Sequence, residues 1–344
     1  MELSREQCLN IKGYGILLIV IHNFVDHLMG INCNEMAYYQ AHTDAFIQGV
    51  LSPAALWYVF AFAGWIGVAL FLFASGYGLT RKYGCQSISH GDYIWKHLVK
   101  LWILLVPVYL LYFITYHCVL GGEHNWYSLI AQLTFTINFL DYGTNSFISE
   151  PRVYWFFGAI LQFYILFLAL RKMSNRWLWI TALLALGFNY LILYRTYDVM
   201  MWWTRQNAIG WMVPFVMGML AARIPFRPRK RLCLIVCLTA LPLLVLSLTI
   251  KALAPFTEVF TVLFFVSLTG LLTMRLMTLL GVISASLFVI HPFVRMLCYN
   301  GSGHFHVSEL SMVGIYIVAV VALSWIHHII LKKVQTGWLR AKNE

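Results

Sequence analysis

Charge is scarce in this chain: of 344 residues, 24 are Lys or Arg and 13 are Asp or Glu, 11% in all. That leaves too little polar surface to coat a soluble domain of this size, which excludes the ordinary soluble globular class. Long polar segments are missing as well, so a single membrane domain over residues 1–344 is expected, with no soluble appendage. A disulfide framework is excluded by the cysteines, which are seven in number and scattered. Cys233 and Cys237 lie one helical turn apart in an apolar segment, a spacing read as packing. No small-residue cleavage site follows the first apolar run, which is also too long for a signal-peptide core, so it is expected to remain as a span. No internal repeat is visible, which weighs slightly against a transporter built from inverted halves.

What the sequence has in quantity is hydrophobic residues, 61% of the total. Apolar runs near the length that crosses ~30 Å of hydrocarbon recur along it. They predict an all-α polytopic membrane protein of about ten transmembrane helices, at 9–30, 57–80, 98–120, 152–170, 177–194, 207–224, 232–249, 257–274, 277–298 and 310–331. The stretch 126–141 is apolar but short and carries Thr, Gln and Asn. Counted as a span, it would reverse every later loop and put the RPRKR run of residues 227–231 outside. Left out of the count, it gives 19 Lys and Arg inside and five outside, as the positive-inside rule requires. It is therefore expected to be an outward-facing interfacial or re-entrant helix, with both termini cytoplasmic. Trp57, Trp126, Trp155, Trp177, Trp202, Trp203 and Trp338 fall near span ends and read as interfacial anchors.

Ionisable groups at membrane depth are costly and normally have a partner, a wet cavity or a task. The first run, IKGYGILLIVIHNFVDHLM (residues 11–29), carries Lys12, His22, Asn23, Asp26 and His27. At helical spacing His22 stands beside Asp26 and Asn23 beside His27. Ten residues from Lys12 to His22 give ~15 Å of rise, so His22 lies about mid-bilayer if Lys12 marks the cytoplasmic surface. A carboxylate beside imidazole fixes its tautomer and raises its basicity, as a general base requires. For Asp26 and His27 the plainer account is a place in the outer interface, where charge is cheap. Two further stretches admit two readings each. In FLFASGYGLTRK (71–82), Ser75 and two glycines precede Arg81 and Lys82; the glycines permit close approach by a ligand and the basic pair suits phosphate, while composition alone favours a packing seam capped by positive-inside charge. In GVISASLFVIHPFVR (281–295), Pro292 removes a backbone bond and can open a polar pocket at His291, or simply kink the helix around a satisfied histidine. His304 and His306 are too sparse to make a metal site, and no metal is expected.

Taken together these pieces resemble the acyltransferase 3 family. Its opening motif is a leucine, an acid or amide, a spacer, a basic residue, glycine, an apolar run and histidine; residues 9–22 read LNIKGYGILLIVIH. Its Phe-rich Ser-Gly-aromatic stretch followed by Arg is similar to residues 71–81, FLFASGYGLTR. Its Trp-led helix resembles residues 154–167, YWFFGAILQFYILF, and its late Ile-Ser-x-Ser-aromatic-x-x-His segment resembles residues 283–292, ISASLFVIHP. In one respect the chain departs: nine residues separate Lys12 from His22 where the family usually has ten, which turns His22 by most of a quarter turn relative to Lys12.

The resemblance implies a membrane O-acyltransferase of the bacterial cytoplasmic membrane. It would move an acyl group, most plausibly acetyl, from cytoplasmic acyl-CoA to a hydroxyl of a cell-surface glycan or lipid-linked glycan precursor, with membrane lipids around it and no nucleic acid partner. It implies catalytic roles for His22, Lys12, Ser75 and His291, and a donor phosphate site drawn from Arg81, Lys82, Lys96, Lys100, Arg171 and Lys172. A proton-coupled transporter or flippase would use the same buried His, Asp and Lys residues. An interaction protein that keeps the scaffold without its chemistry is a third possibility.

Overall fold

The computed structural model describes residues 1–122, 126–140, 151–195, 198–302 and 309–341. Every regular element among them is helical. In chain order they are α1 (Arg5–Met29), α2 (Gln40–Val50), α3 (Ala55–Ala63), α4 (Gly67–Tyr83), α5 (His90–Ile114), α6 (Trp126–Leu133), α7 (Ile137–Leu140) and α8 (Trp155–Leu170). There follow α9 (Asn175–Arg195), α10 (Asp198–Gln206), α11 (Met212–Arg223), α12 (Lys230–Thr249), α13 (Thr257–Leu271), α14 (Arg275–Val282), α15 (Ser284–Ser302) and α16 (Glu309–Ala341). A 3-10 turn, Gly64–Ile66, joins α3 to α4, so that Ala55–Tyr83 forms one span.

Seven helices among the described residues are long and apolar enough to cross a membrane, eight if α14 and α15 are one broken span. Helices occupy all ten expected positions, but those at 155–170 and 208–223 are short. The 16 residues of α8 rise only about 24 Å, less than ~30 Å of hydrocarbon. The stretch 126–140 divides into α6 and α7, neither long enough to span. They are separated by a turn in which Phe135 adopts φ +58°, a conformation costly for a non-glycine residue. α1 starts at Arg5 rather than near residue 9 because Ser4 and Gln7 form a capping box: the Gln7 amide donates to Ser4 Oγ at 3.1 Å and the Ser4 amide to Gln7 Oε1 at 2.8 Å. It ends at Gly30, whose φ is +63°.

α1 lies at the centre of the bundle, packed against α3, α4, α14 and α15. Close approach depends on glycines. A Cβ on Gly13 would meet the backbone of Met277, one on Gly281 the backbone of Leu9, and one on Gly67 the carbonyl of Gly15. Gly76 meets the Phe215 carbonyl and Gly218 that of Phe73, which fastens α4 to α11 in the same way. Small residues that let backbones touch are the usual means of packing helices in lipid, where no hydrophobic force drives them together. The glycine of the 71–82 stretch is therefore a packing seam at Gly76. Pro292 lies inside α15, and a 75° bend falls upstream of it, between α14 and α15.

Candidate functional site

His22 is 4% exposed, and two contacts define its chemistry. Its Nδ1 lies 2.7 Å from the carbonyl oxygen of Ala61. A carbonyl can only accept, so Nδ1 carries a proton, and in the neutral imidazole the lone pair is left on Nε2. Nε2 faces Glu35 Oε2 at 3.7 Å. Gly64 makes this possible: a Cβ there would collide with His22 Cβ and the Leu18 carbonyl, so only glycine lets the turn between α3 and α4 pack on His22.

Glu35 comes from the segment between α1 and α2, which folds back over the end of α1. Arg205 holds it there, donating from Nε to the Glu35 carbonyl at 3.0 Å. The Arg205 guanidinium is itself fixed, ion-paired to Glu258 and stacked on Trp211 at 3.7 Å from the ring centroid. Cys33 completes the group: His22, Cys33 and Glu35 place their side-chain N, S and O atoms within 4.8 Å of one another. Burial pushes the Cys33 thiol above its usual pKa, against a lowering by His22. Imidazole, thiol and carboxylate at these separations form a donor set that would also suit a zinc ion.

These groups open into a cavity of about 450 Å³ whose wall includes His22, Asp26, Glu35, His42, Trp155 and Arg295. Asp26, the expected neighbour of His22 on its own helix, shares this cavity, but the carboxylate within 4 Å of the imidazole is Glu35. Asn23 bonds back to the Ile19 carbonyl at 2.9 Å, a local helix contact.

The other candidate residues are distributed as follows. Lys12 is half-buried on an uninterrupted α1, is not part of the cavity wall, and has no ion-pair partner among the described residues. Ser75 is half-buried on α4, also away from the wall. His291 is fully buried; its Nδ1 lies 3.1 Å from the Leu287 carbonyl and its Nε2 has no hydrogen-bond partner among the described residues. It stands one helical turn before Arg295, which does reach the cavity. The basic residues gather at the other end of the bundle. Lys82, at the end of α4, and Lys96 and Lys100, on the first turns of α5, are close enough to feel one another's charge. Arg171, just past α8, donates to the Gln86 carbonyl and ties the α4–α5 connection to α8. Lys172 beside it is exposed. Arg81 faces the amino-terminal end of the chain instead, where its charge acts on the Met1 ammonium. His304 and His306 lie outside the described residues.

Glu35, Cys33, Arg205 and Arg295 were not singled out from the sequence. Arg295 had a readable signal, a charge one helical turn beyond His291 in an apolar helix; the others lie in short connecting segments or helices whose fold-back no local pattern announces.

Neither a curated protein nor a solved structure matches this chain. A family model described as an acyltransferase domain does match, over residues 10–329. That match runs through α1 with His22, through the α4 glycine seam and through α15 with His291, and the chain belongs to the acyltransferase 3 family.

Proposed function

We propose that this multi-pass membrane acyltransferase moves an acyl group, most simply acetyl, from acyl-CoA on the cytoplasmic side of a bacterial inner membrane to a hydroxyl of a glycan or lipid-linked glycan. The observation that carries the reading is the buried His22–Glu35 pair on the wall of a cavity large enough for a substrate, in a chain of this family. His22 takes the proton of the acceptor hydroxyl as its oxygen attacks the acyl carbon. Glu35 stabilises the imidazolium that forms. The new C–O bond replaces the thioester C–S bond, and the proton passes on to the departing CoA sulfur.

Lys82, Lys96 and Lys100, with Arg171 and Lys172 nearby and Arg81 on the opposite flank, are the groups assigned to the donor's phosphates. Gly64, packed on His22, and Lys82 belong to one span and lie about 27 Å apart at ~1.5 Å per residue. The donor's pantetheine arm therefore has to run into the bundle, between the basic end and the cavity. Lys12 and Ser75 stand on α1 and α4, the two helices that join those regions, and are assigned to its path. His291 is assigned to a supporting role in proton transfer, through its unpartnered Nε2.

The test is acyl transfer from labelled acetyl-CoA in membranes containing wild-type or His22→Ala protein at matched levels. A loss of roughly 10²- to 10⁴-fold is expected from removing a general base. Intact transfer by the variant would overturn the assignment.

A further inference from the structure

Acyl transfer by a histidine base makes no use of Cys33, yet its thiol stands with His22 and Glu35 in a group whose side-chain N, S and O atoms lie within 4.8 Å of one another. Ligands of a tetrahedral zinc ion, ~2.0–2.3 Å from the metal, stand about 3.5 Å from each other, so the set has to draw in by little more than about 1 Å. His22 Nε2 and Glu35 Oε2, at 3.7 Å, are already close to that separation. All three residues line the 450 Å³ cavity. The Glu35 side chain is 21% exposed, which gives an ion a way in and leaves a fourth position for water.

The segment that carries two of the three ligands is pinned residue by residue. His42 Nδ1 donates to the Cys33 carbonyl at 3.0 Å. Asn34 donates from Nδ2 to Thr43 Oγ1 at 2.9 Å and accepts from the Tyr39 amide at 3.0 Å. Arg205 holds the Glu35 carbonyl. The third ligand is held as well: His22 donates from Nδ1 to the Ala61 carbonyl, the outer contact that metal-ligating histidines characteristically make, and one that orients the other nitrogen. The donor types choose the metal. Thiolate with imidazole suits zinc, whereas calcium and magnesium call for more oxygens than one carboxylate supplies.

We propose that His22, Cys33 and Glu35 form an inhibitory zinc site, in which the ion takes the imidazole nitrogen that otherwise accepts the proton of the attacking hydroxyl. Binding forms bonds from Zn²⁺ to Nε2, Sγ and a Glu35 oxygen, and the thiol proton of Cys33 leaves to water. The ion is a regulator and not a resident cofactor, so removing it does not stop transfer. Its inhibitory effect rests on the acyl-transfer reading, whereas the site itself follows from its three ligands and the contacts that hold them.

Cobalt(II) is the probe, because its absorption reports a bound thiolate directly. Titrated into the full reduced protein in nanodiscs, Co²⁺ is expected to give a thiolate-to-cobalt charge-transfer band that saturates at one equivalent and is displaced by Zn²⁺. Cys33→Ser is expected to lose the band and to bind zinc at least about tenfold more weakly, since loss of even an outer contact costs that much. Cys118→Ser, at an exposed thiol outside the site, keeps both. Acyl transfer from labelled acetyl-CoA supplies the second readout: zinc is expected to stop it and EDTA to restore it. Cys33→Ser, measured against its own zinc-free rate, should need at least tenfold more zinc. No band with folded wild-type protein, a band that survives in Cys33→Ser, or a rate that zinc leaves unchanged or raises would overturn the proposal. The two readings fail separately. A Cys33-dependent band in protein that transfers no acyl group confirms the metal site and sinks the transferase; zinc-insensitive transfer without a band does the reverse.

Discussion

Glu35 stands thirteen positions after His22 in sequence, beyond the end of α1, and yet its carboxylate is the one at 3.7 Å from the imidazole. Helical spacing singles out His22 correctly as a group that needs a partner at depth, and points to Asp26 as that partner, since i and i+4 share a face. The fold adds Glu35 by turning the chain back after Gly30 and fastening it with Arg205, a contact across 170 positions that no periodicity encodes. The ranking of the two carboxylates is testable. Glu35→Gln is expected to lower the turnover number roughly tenfold or more, about 1.4 kcal/mol of barrier, whereas Asp26→Asn has the smaller effect; kinetics on the two variants in membranes check this, and the reverse order would return the role to Asp26. The proximity of Cys33 raises a second question, whether a metal fills the space among the three side chains. The base reading needs Nε2 open to the acceptor, so extensive dialysis against EDTA is expected to leave acyl transfer unchanged. Loss of activity restored by added zinc would make His22 a metal ligand rather than a base.

At the scale of the elements, hydropathy was a good guide to position and a poor one to length. Every expected span has a helix at its place, because twenty apolar residues leave the backbone no other way to satisfy its polar groups in lipid. The ends are set by local chemistry that hydropathy does not weigh: the Ser4–Gln7 capping box lengthens α1, and the break before Ser284 divides one apolar run into α14 and α15 with no proline at the bend. The glycines show the same division between pattern and consequence. Gly76 and Gly78 look alike in sequence, but Gly76 meets a backbone carbonyl of α11 while nothing lies within 4 Å of a Cβ on Gly78. Gly64 is the most consequential of these positions, since its missing Cβ leaves room for His22. Gly64→Ala is expected to cost about 1–3 kcal/mol through overpacking and to reduce turnover by displacing the imidazole, while Gly78→Ala leaves both unaffected. Thermal unfolding in detergent with parallel turnover measurements checks the pair, and a neutral Gly64→Ala would mean that α1 and the α3–α4 turn yield more easily than their contact implies.

For the whole molecule, orientation decides whether the proposed reaction is possible at all. The proposed topology, which follows the excess of Lys and Arg in alternate loops, has the basic end, with Lys82, Lys96 and Lys100, in the cytoplasm and the His22 cavity toward the other side. Acyl-CoA is a cytoplasmic metabolite too large and too charged to cross a bilayer, so the opposite orientation would separate the donor from the residues assigned to hold it. Two exposed cysteines at opposite ends of α5 and its continuation report the answer: Cys85 precedes the helix, near the basic cluster, and Cys118 lies in the π-helical turn that follows it. In single-cysteine variants a membrane-impermeant maleimide is expected to label Cys118 in intact cells, and Cys85 only after permeabilisation. Labelling of Cys85 from outside would invert the topology and remove the cytoplasmic donor, leaving a lipid- or glycan-handling transporter as the reading that fits the buried histidines. The expected result would instead fix the chemistry to a vectorial sequence, with the donor entering from one face, the acceptor waiting at the other, and His22 between them.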